Sequence, residues 1–168
     1  MLSELAESPK WLLLKGKKKR DERLRDEETV LRFFAFYNLG AASYRTPLKQ
    51  WLNDAAQEGR KYSQKKIHEL SSVWHRAIDV ALIWFDNSEC FRRTGSRQIN
   101  KALFDLVMNY AIRFDANGAK IIREEFRNKY FQLLQIEEFN DLIGRAVDHT
   151  RRTKRRFEIW EKHFSDLS

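Results

Sequence analysis

From Ser63 to Phe85 the apolar residues Ile67, Leu70, Val73, Trp74, Ala77, Ile78, Ala81, Leu82 and Phe85 recur every three or four positions. Residues at that spacing share one face of a helix, so this segment must bury a long stripe against other elements. Ser63 provides the side-chain oxygen that a helix start uses. Period-two alternation is nowhere sustained, so no sheet is expected beyond isolated bridges. Two prolines and six glycines in 168 residues leave long stretches unbroken. The expectation is an all-α, single-domain bundle of about seven or eight helices.

The remaining helices follow from punctuation. Ser8 and Pro9 form a cap and first-turn pair for a short helix through Trp11 to Leu14, closed by Gly16. A cationic linker, Lys15 to Arg20, comes next, which divides the chain into residues 1–20 and a bundle over 21–168. Asp26 is placed to cap a helix that Gly40 ends, with Glu27 and Glu28 near its positive pole. Its apolar residues, Val30, Leu31, Phe33, Phe34, Phe36, Tyr37 and Leu39, cover most of the circumference, which predicts a central position. Thr46 and Pro47 open a helix with Leu48, Trp51, Leu52 and Ala55, ending at Gly59.

Residues 86–98 read as a loop with a short turn near Glu89 to Arg92. A helix with Leu103, Leu106, Val107, Tyr110, Ala111 and Phe114 is expected to stop at Asn117 and Gly118. Helices through Ile122 to Leu133, through Phe139 to Val147 and through Phe157 to Leu167 complete the set. Trp84 falls beside the stripe that Phe85 occupies, so its indole is expected to face a partner or ligand.

Composition narrows the function classes. With 42% hydrophobic and 13% aromatic residues the chain is no disordered tail. A single cysteine, Cys90, excludes an intrachain disulfide and a multi-cysteine zinc site, and suits a reducing, cytoplasmic setting. No apolar run approaches the ~20 residues that span a bilayer, and no leader pattern opens the chain. No glycine-rich phosphate loop occurs, and no cofactor or metal is expected.

The segment Arg25 to Tyr37 (RDEETVLRFFAFY) resembles the opening helix of the second, helical half of the GmrSD-type restriction endonuclease family. The resemblance continues through Tyr44, Pro47 to Asp54 (PLKQWLND), Cys90 to Arg93 (CFRR), Ile99 to Asp105 (INKALFD) and Arg155 to Trp160 (RRFEIW). Members of that family carry a ParB-like nuclease or NTPase half marked by Asp-Gly-Gln-Gln-Arg, and many add an HNH region. Here no Asp precedes Gly, and none of His68, His75, His149 and His163 stands in an Asp-His-x-x-Pro setting. The resemblance therefore implies a helical half without its catalytic half, with Arg32, Asn53, Asp54, Arg92, Arg93, Asn100, Lys101 and Asp105 toward a cleft shared with a separate ParB-like subunit. From the residues alone, Asn100 would cap a helix and Arg32 would pair with Glu28 one turn away.

Charge supplies the clue to other partners. The formal net charge is +8, concentrated in Lys15, Lys17, Lys18, Lys19 and Arg20 and in Arg151, Arg152, Lys154, Arg155 and Arg156. Such clusters suit a phosphate backbone, because each cation placed on a phosphate releases counterions. Arg92, Arg93 and Arg97 would extend that surface, making DNA a candidate partner. Acids beside the first cluster, Asp21, Glu22, Asp26, Glu27 and Glu28, offset part of the field. The apolar faces are explained as core, which argues against a membrane role; a homo-oligomer is compatible.

Candidate chemistry is sparse. Arg145 and His149 approach the Arg-His spacing of helical RNases and would share one helical face. His68 and His75 could align on the long helix but lack carboxylate or thiolate company. Glu124 with Glu125, and Glu137 with Glu138, are adjacent and point apart. Arg92 and Arg93 beside Cys90 would lower its thiol pKa, yet no dyad partner is specified and a half-buried structural cysteine is the expected reading. Two readings result: a non-catalytic helical module of a GmrSD-like restriction or phage-defence system, or a small helical RNase using Arg145 and His149. A remnant of a longer disrupted gene is a third.

Overall fold

In the computed structural model, which describes residues 1–19, 25–85 and 89–167, nine α-helices are present among the described residues. They are α1 (Leu2–Ala6), α2 (Pro9–Lys15), α3 (Arg25–Leu39), α4 (Leu48–Gly59), α5 (Gln64–Trp84), α6 (Lys101–Ala111), α7 (Ala116–Gln135), α8 (Glu137–Gly144) and α9 (Thr150–His163). A 3₁₀ turn spans Ala41–Ser43. The protein is all-α, and the isolated antiparallel bridge Arg92 to Ile99 is the strand-like feature among the described residues.

Local chemistry explains several helix ends. Ser63 accepts from the Lys66 amide at 3.2 Å, and Asn100 accepts from the Leu103 amide at 3.0 Å. Gly16 ends α2 in the left-handed conformation at φ 65°, where a Cβ would be strained. Asp26 does not act as a cap: it lies within α3 and takes the Lys15 ammonium. Asn117 and Gly118 do not end α6 either. Asp115 accepts from the Gly118 amide at 2.7 Å, so both residues belong to the first turn of α7. Helix α1 had no periodic signal because it has five residues; Leu5 and Ala6 form it by packing on α3.

Helix α6 occupies the centre, with Ala102 to Met108, Tyr110 and Ala111 all buried. Around it, α5 packs on α6 and α7, and α3 packs on α1, α4 and α6. The main core joins Trp11 and Leu14 of α2 to Phe33, Trp74, Phe104 and Trp160. A smaller cluster of Phe36, Tyr44, Trp51 and Leu52 links α3 to α4. Helix α3 is less enclosed than its composition suggests, since Leu31 and Tyr37 are half-buried and Leu39 is exposed.

Trp84 is fully buried, contrary to its expected outward orientation. Its ring stacks on Phe126 at 3.9 Å and its indole N–H donates to the Ala119 carbonyl at 3.1 Å. Both Trp84 and Phe85 face the core because α5 ends there and Phe85 is already extended.

Candidate nucleic-acid interface

Arg32 on α3 and Asp105 on α6 meet beneath the surface. The Arg32 Nε donates to Asp105 Oδ1 at 2.7 Å and its Nη2 to Oδ2 at 2.7 Å, while its Nη1 reaches Asp148 at 3.0 Å. Arg156 of α9 approaches the same carboxylate at 3.5 Å and donates to the Val147 carbonyl. The Tyr44 hydroxyl donates to the Asp148 carbonyl at 2.6 Å. Burial opposes the Arg32 charge, but the carboxylates of Asp105 and Asp148 more than offset it and hold the guanidinium above its ordinary pKa. Burial pulls Arg156 down, and its Nε has no hydrogen-bond partner among the described residues. This cluster ties α3, α6 and α9 together.

The expected Arg32–Glu28 pair is replaced by these contacts; Glu28 instead takes Lys101 at 2.8 Å. Asn100 caps α6 through its oxygen and donates through Nδ2 to the Ile143 carbonyl at 2.7 Å. Arg32, Asn100, Lys101 and Asp105 thus gather where α3, α6 and residues 143–148 meet. Asn53 and Asp54 lie apart on α4, where Asn53 is exposed and Asp54 takes Arg45 at 2.6 Å.

The arginines of the 89–98 segment take separate roles. Arg92 is buried and donates to the carbonyls of Cys90, Leu14, Lys15 and Arg97 at 2.8 to 3.2 Å. It satisfies the C-terminal carbonyls of α2 rather than presenting a charge to solvent. Arg93 is exposed and donates to Asn140 at 2.6 Å. Burial pushes the Cys90 thiol well above its ordinary pKa, outweighing the pull of Arg92; the expected lowering does not occur.

The first basic cluster surrounds a cleft of about 610 Å3 whose lining includes Lys15, Lys17, Lys19, Arg25, Arg97 and Lys101. Lys15 is spent on Asp26, and Lys101 on Glu28. Lys17, Lys18, Lys19 and Arg97 are exposed and make no ion pair among the described residues. Arg20, Asp21 and Glu22 lie outside the described residues.

The second cluster is divided by α9. Arg156 is fully buried, so it cannot reach a phosphate, a correction to its expected role. Arg152 binds the Asp141 carboxylate at 2.6 Å and the Asp141 and Arg145 carbonyls. Arg155 holds Glu138 at 2.7 Å, and this contact lowers the Glu138 pKa. Arg151 is exposed and Lys154 half-buried, and neither is in an ion pair among the described residues.

Arg145 and His149 do not share a helical face. Helix α8 ends at Gly144, Arg145 is extended, Ala146 has φ 42° and His149 precedes α9. Arg145 instead pairs with Asp141 at 3.2 Å. His68 and His75 are exposed on α5, and no group of three potential metal ligands occurs among the described residues. Asp148 escaped sequence inspection because it is 116 positions from Arg32 and stands in no motif. No protein family, no curated protein and no solved structure matches this chain.

Proposed function

We propose that the chain is a non-catalytic, nucleic-acid-binding helical module that acts beside a separate ParB-like catalytic subunit of a GmrSD-like restriction or phage-defence system. The observation that carries the binding reading is the basic cleft, where Lys17, Lys19 and Arg97 keep their charges unneutralised among the described residues. Cations gathered along a cleft neutralise phosphates without reading bases, which gives salt-sensitive affinity. Lys101 and Arg25 line the same cleft and open α6 and α3, two of the helices that carry the family-like segments. The catalytic partner follows from the resemblance of those segments.

The RNase reading loses its shared helical face, because Arg145 and His149 lie in the non-helical connection between α8 and α9. Titration of duplex and single-stranded DNA at several salt concentrations tests the binding proposal. Affinity should fall steeply with salt, and Lys17→Ala, Lys19→Ala and Arg97→Ala together should weaken it. Equal binding by that triple variant removes the proposed surface.

A further inference from the structure

A second cleft, of about 630 Å3, lies between α3, the 3₁₀ turn, α6 and α9, on residues other than those of the basic cleft. Its size falls in the range of small-molecule sites. Tyr37 and Phe157 line it as half-buried rings. Each is backed by a core ring: Phe33 stacks on Tyr37 at 6.2 Å and 11°, and Phe36 on Phe157 at 5.1 Å and 28°. These ring positions are therefore fixed before any ligand arrives. Asn109 contributes an amide whose nitrogen is committed to the Asp105 carbonyl at 2.9 Å. Trp160 forms part of the wall and has a buried indole N–H with no acceptor among the described residues.

Charge orders the rim along α9. Lys154, Glu158 and Glu161 line the cleft, and Arg151, one turn before Lys154 and outside the lining, extends them into one stripe. The cations stand at its start and the acids at its end. Arg113 neutralises Glu161 at 2.5 Å and covers Tyr110 at 4.9 Å, whereas Lys154 has no ion-pair partner among the described residues. An aromatic trough with an available cation at one end suits a planar ring joined to an anion.

We propose that this cleft binds a nucleotide, its base against Tyr37 and Phe157 and its phosphate toward Lys154 and Arg151. Base-to-aromatic stacking tolerates any base and places the ring, while the ammonium at Lys154 sets direction. The same chemistry is offered by a free mononucleotide and by one unstacked residue of a strand. The strand form rests on the nucleic-acid reading above; the mononucleotide form does not.

Calorimetry with AMP, adenosine and ribose 5-phosphate, and with a short deoxyadenosine strand, tests the site. AMP should bind more tightly than either fragment, and Lys154→Ala should weaken it about tenfold. Ala42 is exposed and lines the cleft, so Ala42→Trp should fill it and abolish binding while the thermal transition is retained. If only the strand binds, and Ala42→Trp weakens it, the occupant is a strand residue. The triple change of Lys17, Lys19 and Arg97 should leave AMP binding unaltered, which separates failure of the basic cleft from failure of this one. The proposal is overturned if neither AMP nor the strand binds, if the strand alone binds and is indifferent to Ala42→Trp and Lys154→Ala, or if AMP binding is indifferent to both changes.

Discussion

The Arg32 guanidinium and the Asp105 carboxylate form a two-pronged pair across 73 positions of sequence, and neither side chain is exposed to solvent. The burial of each ion is offset chiefly by the other, with Asp148 and Arg156 as lesser partners. Arg32→Met or Asp105→Leu should each cost about 3–5 kcal/mol, because the survivor stays charged and buried with only Asp148 or Arg156 left beside it. The double change Arg32→Met with Asp105→Leu should cost less than either single removal. Urea unfolding of the four proteins measures this, and strictly additive losses would show that the pair is uncoupled.

Trp84→Phe should lower stability by about 1–3 kcal/mol, since it removes the hydrogen bond to Ala119 and part of the ring area against Phe126. Thermal denaturation reads the loss. A neutral result would mean that the indole does little in the core.

Cys90 should resist alkylation in the native protein. It has no exposed surface, and burial keeps its thiol protonated well past the ordinary range. Iodoacetamide labelling followed by mass measurement should be slow in buffer and rapid in urea. Fast native labelling would contradict the packing around Phe91 and Arg92.

Stability should decline on the alkaline side. Burial pushes Tyr110 up to about 12, and raises Tyr130 and Cys90 well above their ordinary values. A raised folded pKa means that the fold holds the proton more tightly than the unfolded chain does. The associated stability is complete below the unfolded values, ~8.5 for a thiol and ~10 for a phenol, and is lost as pH rises through the folded ones. Melting temperatures should therefore fall from about pH 9 upward. Tyr130→Phe should reduce that fall and leave neutral stability equal or higher, because its buried hydroxyl has no hydrogen-bond partner among the described residues.

Removing Lys17, Lys19 and Arg97 should flatten the salt dependence of DNA binding. The slope of log affinity against log salt should drop by about 0.9 for each cation that meets a duplex phosphate. Arg156→Lys should instead lower stability, since its guanidinium is enclosed and bonded to Val147. A change in DNA affinity from Arg156→Lys at constant stability would contradict its placement.

Local chemistry made the helices legible. The stripe from Ile67 to Phe85 and the caps at Ser63 and Asn100 act over three or four residues, so the sequence alone determined the all-α class and most helix boundaries. Asn100 was also readable as a cap, for the same reason. The segment 144–149 was not, because a helix-like apolar pattern there is broken by the backbone turn at Ala146. Only the tertiary structure decided that Arg156 of a five-cation set is buried while Arg151 is exposed, and that Arg32 turns from Glu28 to Asp105 and Asp148. Neighbouring cations look alike in sequence; which of them reaches water depends on how α9 is rotated against α6 and α8. Partners separated by 73 and 116 positions meet through packing, and no spacing rule reports that.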